Sequence, residues 1–511
     1  MKRREFLHNL AMATGVTISV AGIPIKAFAR PFMNIQSSSG KILVLIQLKG
    51  GNDGLNTVIP LDQYSIYISK RPNLKIDENL IVKLTDATGV HPALAPLKPL
   101  FDEGKLTVIQ GVGYPNQNRS HFRSTDIWLT ASDSDKYIFD GWVGRYLLKA
   151  FPDYPNIPPA HPMAIQIGSV QSGLFDSQQG GLAVAFDNPD SFYQLVNGIS
   201  ADADPPPATI AGDELKFLKE VAALSVKYAS VIKEKADKGN PKQDYSKGGT
   251  FGGQLKIIAD LIAGGLETPV YLATLDGFDT HANQANTHQT LLSRLGESLK
   301  SFQADLEQLG FADKVVVLTF SEFGRRVTEN GSLGTDHGAA LPMFLVGKNI
   351  QAGIFGLNPD LTNLDNNGDV KFLYDFRQVY ATMLKDHFGM TNQQVKDVLF
   401  KDFQTLPLLK LITNVEDEKE IPAQFTLSQN YPNPFNPETV INYQLSAFSF
   451  VTLKVYDVLG KEVATLVNEY QQPGEYNSQF SIRNYQLSSG VYFYQLRAGN
   501  FVETKKMILQ K

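Results

Sequence analysis

The sequence predicts a large three-layer α/β/α domain followed by a small antiparallel β-sandwich. Apolar, β-branched runs such as Val315–Leu318 have the composition of strands buried on both faces, and each is followed by a polar segment and then by a helix. Repetition of this unit is typical of a parallel sheet that is covered by helices. After about residue 420 the pattern changes to alternating apolar and polar residues, which predicts antiparallel strands.

Length and composition restrict the classes of protein that this chain can belong to. With 511 residues it exceeds the usual size of one domain, so we expect two or three domains. There is no cysteine, which excludes disulfides, thiolate metal sites and cysteine nucleophiles. The formal net charge of -5 and the lack of a basic block argue against a nucleic-acid partner.

The N-terminus has the features of an export signal. Lys2-Arg3-Arg4-Glu5-Phe6-Leu7 resembles the twin-arginine motif, and it precedes a weakly apolar run and the small-residue site Ala27-Phe28-Ala29. We therefore predict that residues 1–29 are a twin-arginine signal peptide. A membrane anchor is the alternative, but the run is shorter than the ~20 apolar residues that a span needs. We expect no stable membrane span elsewhere.

Acidic and histidine side chains follow several of the predicted strands. The first strand, 41–48, runs into a glycine-bounded turn with Asp53; Val270–Leu275 leads to Asp279 and His281; Val315–Phe320 leads to Glu322 and then to Asp336 and His337. In open α/β sheets the carboxyl edge of the strands is where ligands bind. We expect these segments to meet there, although Asn52-Asp53-Gly54 is also compatible with an ordinary turn.

Ser120 and His121 precede a helical stretch that contains Ile127, Trp128 and Leu129. A serine at a helix N-terminus is either a cap or a nucleophile whose developing anion is stabilised by the free N–H groups of the first turn. The sequence favours neither reading. Arg325 and Arg326 have two readings as well: a planar fork for a phosphate-like anion, or solvated helix arginines paired with Glu329.

Acids mixed with imidazoles, without thiols, match zinc, manganese or magnesium. One ion needs about three or four such ligands, and a two-metal site needs about six to eight. The number of acidic and histidine side chains that follow the predicted strands matches the number needed for two metals. The remaining histidines are expected to be loop or packing residues: His91, His161, His288 and His387.

Five motifs together resemble the bacterial family called domain of unknown function 1501, a branch of the alkaline phosphatase and sulfatase superfamily. They are Gly50-Gly51-Asn52-Asp53-Gly54, Ser120-His121-Phe122, Phe278-Asp279-Thr280-His281, Ser321-Glu322-Phe323-Gly324-Arg325 and Gly334-Thr335-Asp336-His337-Gly338. The resemblance covers most of residues 40–412. It implies an alkaline-phosphatase-like domain over residues 30–412 and an edge site for one or two divalent ions.

The resemblance also implies roles for individual residues. The metal ligands would be Asp53, Asp279, His281, Glu322, Asp336 and His337, and the catalytic groups would be Ser120, His121 and Arg325. Two departures from the superfamily pattern concern the second metal: Ser321-Glu322 stands where Asp-His is usual, and Asp279-Thr280-His281 where Asp-x-x-x-His is usual. The motif of formylglycine sulfatases does not occur, which argues against that route.

Residues 425–511 resemble the C-terminal sorting domain of the type IX secretion system. The motifs that carry this resemblance are Asn430–Pro437, Val455-Tyr456-Asp457 and Leu487–Tyr492. We predict an immunoglobulin-like β-sandwich here, joined to the large domain by a linker over residues 413–424. The resemblance implies that the type IX machinery is a partner and that the protein passes through the periplasm to the cell surface or beyond.

The function expected from these observations is a secreted metal-dependent hydrolase of phosphate-type or related esters. Its substrate would be a small-molecule or polymer ester. The alternative is a secreted or surface binding protein on a phosphatase-like scaffold, which binds metal for stability and does not catalyse a reaction.

Overall fold

The structure, a computed structural model, describes residues 40–197, 226–410 and 424–510, apart from 448, 472, 473, 483, 484, 486 and 500. The predicted signal peptide and residues 413–423 of the predicted linker lie outside the described residues. The chain divides at residue 411 into two compact units.

A nine-stranded mixed sheet forms the centre of the first unit. Its strands are β1 (Ile42–Lys49), β2 (Leu106–Gly113), β3 (Ala164–Ile167), β4 (Ala183–Phe186), β5 (Val270–Asp276), β6 (Val315–Phe320), β7 (Leu341–Gly347), β8 (Gly353–Phe355) and β9 (Tyr374–Asp375). The order is β8-β2-β7-β6-β1-β5-β3-β4, and β9 pairs with β2. Nearly every residue of β1 and β6 is buried, so both faces of the sheet are covered.

The predicted α/β class is confirmed, but the sheet is not wholly parallel. Strand β1 is parallel to β5 and β6, whereas β7 is antiparallel to both β6 and β2. A parallel neighbour needs a crossover connection, usually a helix. No helix lies between β6 and β7, so the chain turns back, and the connecting loop stays at the edge where β6 ends. That loop carries Asp336 and His337.

The helices of the first unit are α1 (Gly54–Thr57), α2 (Tyr64–Lys70), α3 (Lys98–Asp102), α4 (His121–Thr130), α5 (Trp142–Ala150), α6 (Pro189–Asn197), α7 (226–238), α8 (Gly249–Ala263), α9 (Gln284–Gln308), α10 (Phe376–Thr382) and α11 (Asn392–Leu399). A π-helical turn, Met383–His387, follows α10. In α9 the predicted apolar stripe is buried, with Leu291, Leu295 and Leu299 each at most 4% exposed. Among the described residues, no helix has both the length and the apolar content that a bilayer span requires.

The second unit consists of antiparallel strands: β10 (Thr426–Leu427), β11 (Glu438–Leu445), β12 (Ser449–Tyr456), β13 (Glu462–Gln471), β14 (Gly474–Ser481), β15 (Gly490–Ala498) and β16 (Phe501–Leu509). One sheet has the order β10-β11-β14 and the other β13-β12-β15-β16. Alternate residues of β12 are buried, as expected for a strand with one face in a core. The predicted β-sandwich is confirmed.

The first unit contains three buried histidines, and we therefore expect its stability to decrease at acidic pH. Burial lowers the pKa of His91, His288 and His387 to about 4. The unfolded chain, with ordinary imidazoles, therefore binds more protons than the folded chain between pH 6.5 and 4, and stability falls as the pH is lowered through that range. We expect a loss on the order of 3 kcal/mol per histidine by pH 4.

Urea unfolding at pH 7 and pH 5 measures this effect. In His387→Gln the amide can replace the imidazole N–H that donates to the Ile42 carbonyl at 3.0 Å, and it does not titrate. This variant should lose less stability between the two pH values than the parent protein. An equal loss would contradict the assignment of His387 as a buried neutral group.

Candidate metal centre

Four loops meet at one edge of the large sheet. Three of them follow the parallel strands β1, β5 and β6, the last being the β6–β7 connection, and the fourth leads from β2 into helix α4. Glycine is required where the β1 and β5 loops touch: Gly50 has a φ of +117°, and a Cβ there would lie 2.4 Å from the backbone nitrogen of Asp279. The close approach packs the β5 loop, which carries Asp279 and His281, against the β1 loop.

Three imidazoles and one carboxylate converge at this edge. Asp279 Oδ1 lies 3.1 Å from His281 Nε2, 3.3 Å from His121 Nε2 and 3.4 Å from His337 Nε2. One donor atom from each of the four residues lies within 4.8 Å of the others, so the group is a candidate metal-binding cluster. His121 enters it from the first position of helix α4.

The opposite nitrogen of each imidazole is held by an acceptor. His121 Nδ1 lies 2.9 Å from Glu322 Oε1, His281 Nδ1 lies 3.3 Å from Asp336 Oδ1, and His337 Nδ1 donates to the Arg119 carbonyl at 2.7 Å. Because carboxylates and carbonyls accept hydrogen bonds, each neutral ring carries its proton on Nδ1. The Nε2 lone pairs are therefore directed to the centre of the cluster, as in histidines that bind metals.

The spacing of the donors fits a small cation. Bonds of about 2.0–2.1 Å in tetrahedral geometry place neighbouring ligand atoms about 3.3–3.4 Å apart, which agrees with the three distances to Asp279 Oδ1. His281 Nε2 and His337 Nε2 are only 2.8 Å apart. Two lone pairs at that distance repel each other unless a proton or a cation lies between them, so the two rings share one or the other.

The cluster can be reached from solvent. The side chain of Asp279 is 50% exposed, whereas Glu322 behind it is 2% exposed. Glu322 Oε1 also accepts the backbone N–H of Gly50 at 2.9 Å, which fixes the carboxylate between the β1 loop and His121. Glu322 thus orients a ring of the cluster from a buried position, and the centre itself faces outward.

The surroundings shift the pKa values of Asp279 and His337 toward the forms that bind metals, and that of His121 away from it. Partial burial would raise the pKa of Asp279, but Arg325 and the imidazoles beside it outweigh this effect and the pKa is lowered. Burial lowers the pKa of His337. The hydrogen bond to Glu322 is the main reason that the pKa of His121 is raised, so protons compete more strongly with a metal for that ring than for His337.

Arg325 is a buried structural clamp. Its Nε donates to the Gly51 carbonyl at 2.7 Å, Nη1 donates to the Thr335 carbonyl at 2.8 Å, and Nη2 contacts Asp279 Oδ1 at 2.7 Å. Nη2 also donates to the carbonyls of Gly50 and Phe278. The guanidinium therefore connects the loops that follow β1, β5 and β6, and its donors are directed at the protein rather than at solvent.

Ser120 lies directly before the cluster residue His121 and is the N-cap residue of α4. Its side chain is exposed and makes no capping hydrogen bond, while its backbone N–H donates to Asn118 Oδ1 at 2.9 Å. The hydroxyl is thus exposed at the start of α4, one residue before His121. The predicted position of Ser120 at a helix N-terminus is confirmed.

Asp53 lies outside the cluster, in a buried polar network. Its Oδ2 is 2.6 Å from Arg71 Nη1, both side chains are 0% exposed, and Gln284 donates to the same oxygen. Burial alone would raise the pKa of Asp53, but Arg71 and His288 bring it below its usual value. The group that neutralises the buried Asp53 carboxylate is therefore the Arg71 guanidinium.

The arrangement contains groups that the sequence did not single out. Nothing in the local sequence marks Arg71, which follows helix α2. The main-chain carbonyl of Arg119 could not be predicted either, because every residue carries a backbone acceptor whatever its type. The proximity of His121 to Ser120 was visible, but its place beside His281 and His337 depends on how α4 packs against the β6 loop. Ser124 of α4 donates to the Glu322 carbonyl and makes that contact.

Comparison with protein families confirms the predicted resemblances. Residues 232–399 match the family described as "Protein of unknown function (DUF1501)", and residues 429–510 match the "Secretion system C-terminal sorting domain". The first segment contains Asp279, His281 and His337. The second implies engagement with the type IX secretion system and supports secretion or localisation at the cell surface. No significant match was found among curated proteins.

Several solved structures resemble the chain at low sequence identity. A protein in the alkaline phosphatase superfamily from Vibrio parahaemolyticus is 11% identical with a TM-score of 0.29, covering 94% of this chain and 88% of that chain. A lipoteichoic acid synthase from Listeria monocytogenes is 9% identical with a TM-score of 0.30, covering 77% and 82%. The alkaline phosphatase of the Antarctic bacterium TAB5 is 8% identical with a TM-score of 0.29, covering 70% and 98%. At these TM-scores the similarities carry no argument about activity.

Proposed function

We propose that this chain is an exported, metal-dependent hydrolase of phosphate-type or related esters. The observation that carries the proposal is the convergence of three Nε2 atoms on Asp279 Oδ1, with each ring held at Nδ1 by an acceptor. Residues 1–29 would direct export by the twin-arginine route before the type IX step. A folded protein is the cargo of that route, which suits a chain that acquires its metal in the cytoplasm.

The cluster is proposed to hold one divalent ion, with His121, Asp279, His281 and His337 as its ligands. Glu322 and Asp336 act behind His121 and His281 as hydrogen-bond acceptors. A second ion at Asp53 is disfavoured because Arg71 already neutralises that carboxylate at 2.6 Å. When bound, the ion would supply Lewis-acid polarisation of an ester oxygen.

The charge at the centre supports an anionic ester as the substrate. One divalent ion with three neutral imidazoles and Asp279 has a net charge of +1. Arg326 follows Arg325 in the chain, its side chain is 44% exposed, and its positive charge helps to lower the pKa of Asp336. Among the described residues its side chain forms one ion pair, with Asp369 at 3.8 Å. We propose that Arg326 contacts the substrate anion, and that Arg325 holds Asp279 in place.

Ser120 is proposed as the nucleophile. Its hydroxyl is exposed beside His121, and the first turn of α4 presents free N–H groups that stabilise negative charge. His121 and Glu322 keep the start of the helix against the centre. Of the three catalytic residues that the sequence predicts, Ser120 would attack the substrate, whereas His121 and Arg325 would hold other groups of the site in position.

A panel of aryl phosphates, phosphodiesters and aryl sulfates, assayed with zinc, manganese or magnesium, tests this proposal. We expect turnover that depends on the metal, and a loss in Ser120→Ala of at least about 1,000-fold, because removal of a serine nucleophile costs more than that in serine hydrolases. Ser69→Ala, at an exposed serine of helix α2, is the matched control and should retain full activity. Equal rates for Ser120→Ala and the parent protein would contradict the role of Ser120.

A non-catalytic binding protein is the second candidate. Four protein donors are the number found in closed structural zinc sites, which favours this alternative. It predicts bound metal without turnover of any ester in the panel. The exposure of the Asp279 side chain favours the enzyme, because structural sites are shielded from solvent.

A further inference from the structure

Arg119 links two of the four cluster residues. Its carbonyl accepts the Nδ1–H of His337 at 2.7 Å, and it lies two positions before His121 in the chain. A shift of this one backbone unit would therefore turn the ring of His337 and displace the start of helix α4. The position of Arg119 depends on what holds its side chain.

The Arg119 side chain is held by two carboxylates, the buried Asp369 and the partly exposed Asp365. Its Nε donates to Asp369 Oδ2 at 2.8 Å, and its Nη2 contacts both Asp369 and, at 3.3 Å, Asp365. Asp369 is 0% exposed and its backbone N–H donates to Asp365 Oδ1 at 2.9 Å, so the anchor cannot easily move. The loop that carries both acids provides no atom of the cluster itself.

We propose that Asp369, acting through Arg119, is a positioning residue for the metal centre. The ion pair fixes the carbonyl that sets the tautomer and orientation of His337, and it fixes the segment that delivers His121. The inference rests on the proposed metal site. Groups that orient metal ligands from behind are typically worth 10–100-fold in metal affinity.

Zinc affinity of the full-length protein, measured by competition with a chromophoric chelator, tests the role of Asp369. We expect Asp369→Asn to weaken binding by about 10–100-fold. The matched control is Asp305→Asn, which removes another buried carboxylate of the same unit: Asp305 accepts from the Lys242 N–H and the Tyr245 hydroxyl, at 2.6 and 2.8 Å. The control should lower the melting temperature without changing zinc affinity.

A second variant protects the test against misfolding. Arg119→Gln breaks the same ion pair from its other end, at a side chain that is 26% exposed. It should weaken zinc binding to a similar extent, and the cobalt(II) absorption spectrum of both variants should differ from that of the parent protein, which a purely structural role would leave unchanged. Parent-like affinity in either folded variant would overturn the positioning role. Failure of the parent protein to bind zinc would instead overturn the proposed metal site.

Discussion

Replacement of His281 or His337 by alanine is expected to abolish tight zinc binding. Each ring provides one of the Nε2 atoms around Asp279 Oδ1, at 3.1 and 3.4 Å. Loss of a ligand should exceed the 10–100-fold effect of losing a group that orients one, so we expect a decrease in affinity on the order of 100-fold or more. Competition with a chromophoric chelator measures the dissociation constant.

His161→Ala is the matched control for these two variants. His161 belongs to the same unit, but its Nδ1 accepts the Glu267 backbone N–H at 3.0 Å and has no contact with the cluster. Its removal should leave zinc affinity unchanged. Parent-like zinc binding by His281→Ala would show that the imidazoles serve another purpose.

Replacement of Arg71 by methionine is expected to destabilise the large unit by about 3–5 kcal/mol, because it leaves the Asp53 carboxylate buried without a partner. Arg71 also donates to the Val327 carbonyl at 3.0 Å, so the β6 loop loses a support as well. Urea unfolding measures the change in the free energy of unfolding.

Two comparisons separate the charge effect from a general loss of packing. The double variant Arg71→Met with Asp53→Asn removes both charges and should recover much of the lost stability. Lys348→Met breaks the exposed pair with Asp313, whose side chains are 56% and 61% exposed, and should cost at most about 1 kcal/mol. If Arg71→Met were as mild as Lys348→Met, the ion pair would not be a main support of the buried network.

The convergence of the loops could be predicted from the sequence because strand exits follow a general rule. Buried strands such as β1 and β6 are recognisable from unbroken apolar runs, and parallel strands bring their carboxyl ends to the same edge. This rule placed Asp279, His281 and Glu322 in neighbouring loops. His337 lies there for a different reason: β7 is antiparallel to β6, so the loop that connects the two strands begins and ends at that edge.

The sequence could not predict which acid lies at the centre of the cluster and which one lies behind it. Glu322 and Asp279 have the same chemistry, and the sequence suggested both as ligands. In the structure Glu322 is fixed by the Gly50 N–H and faces His121 Nδ1, whereas Asp279 Oδ1 faces three Nε2 atoms. A difference of a few ångströms in backbone position decides which carboxylate lies in the centre, and residue spacing does not contain that information.

Asp53 shows the same limit in a buried setting. Its place after the first strand was evident, but its partner Arg71 comes from the end of helix α2, where no motif marks it. Whether a carboxylate meets a metal ion or a guanidinium depends on which side chain reaches it in three dimensions. The sequence therefore predicted that Asp53 lies at the sheet edge, but it did not predict which positively charged group would be the partner of that carboxylate.

The location of a bound ion tests the central claim most directly. Crystals of the full-length protein grown with zinc, and measured on both sides of the zinc absorption edge, would show its position as an anomalous difference peak. We expect one peak in the large unit, bonded to the Nε2 atoms of His121, His281 and His337 and to Asp279. A peak at Asp53, or no peak at these four residues at saturating zinc, would contradict the proposed centre.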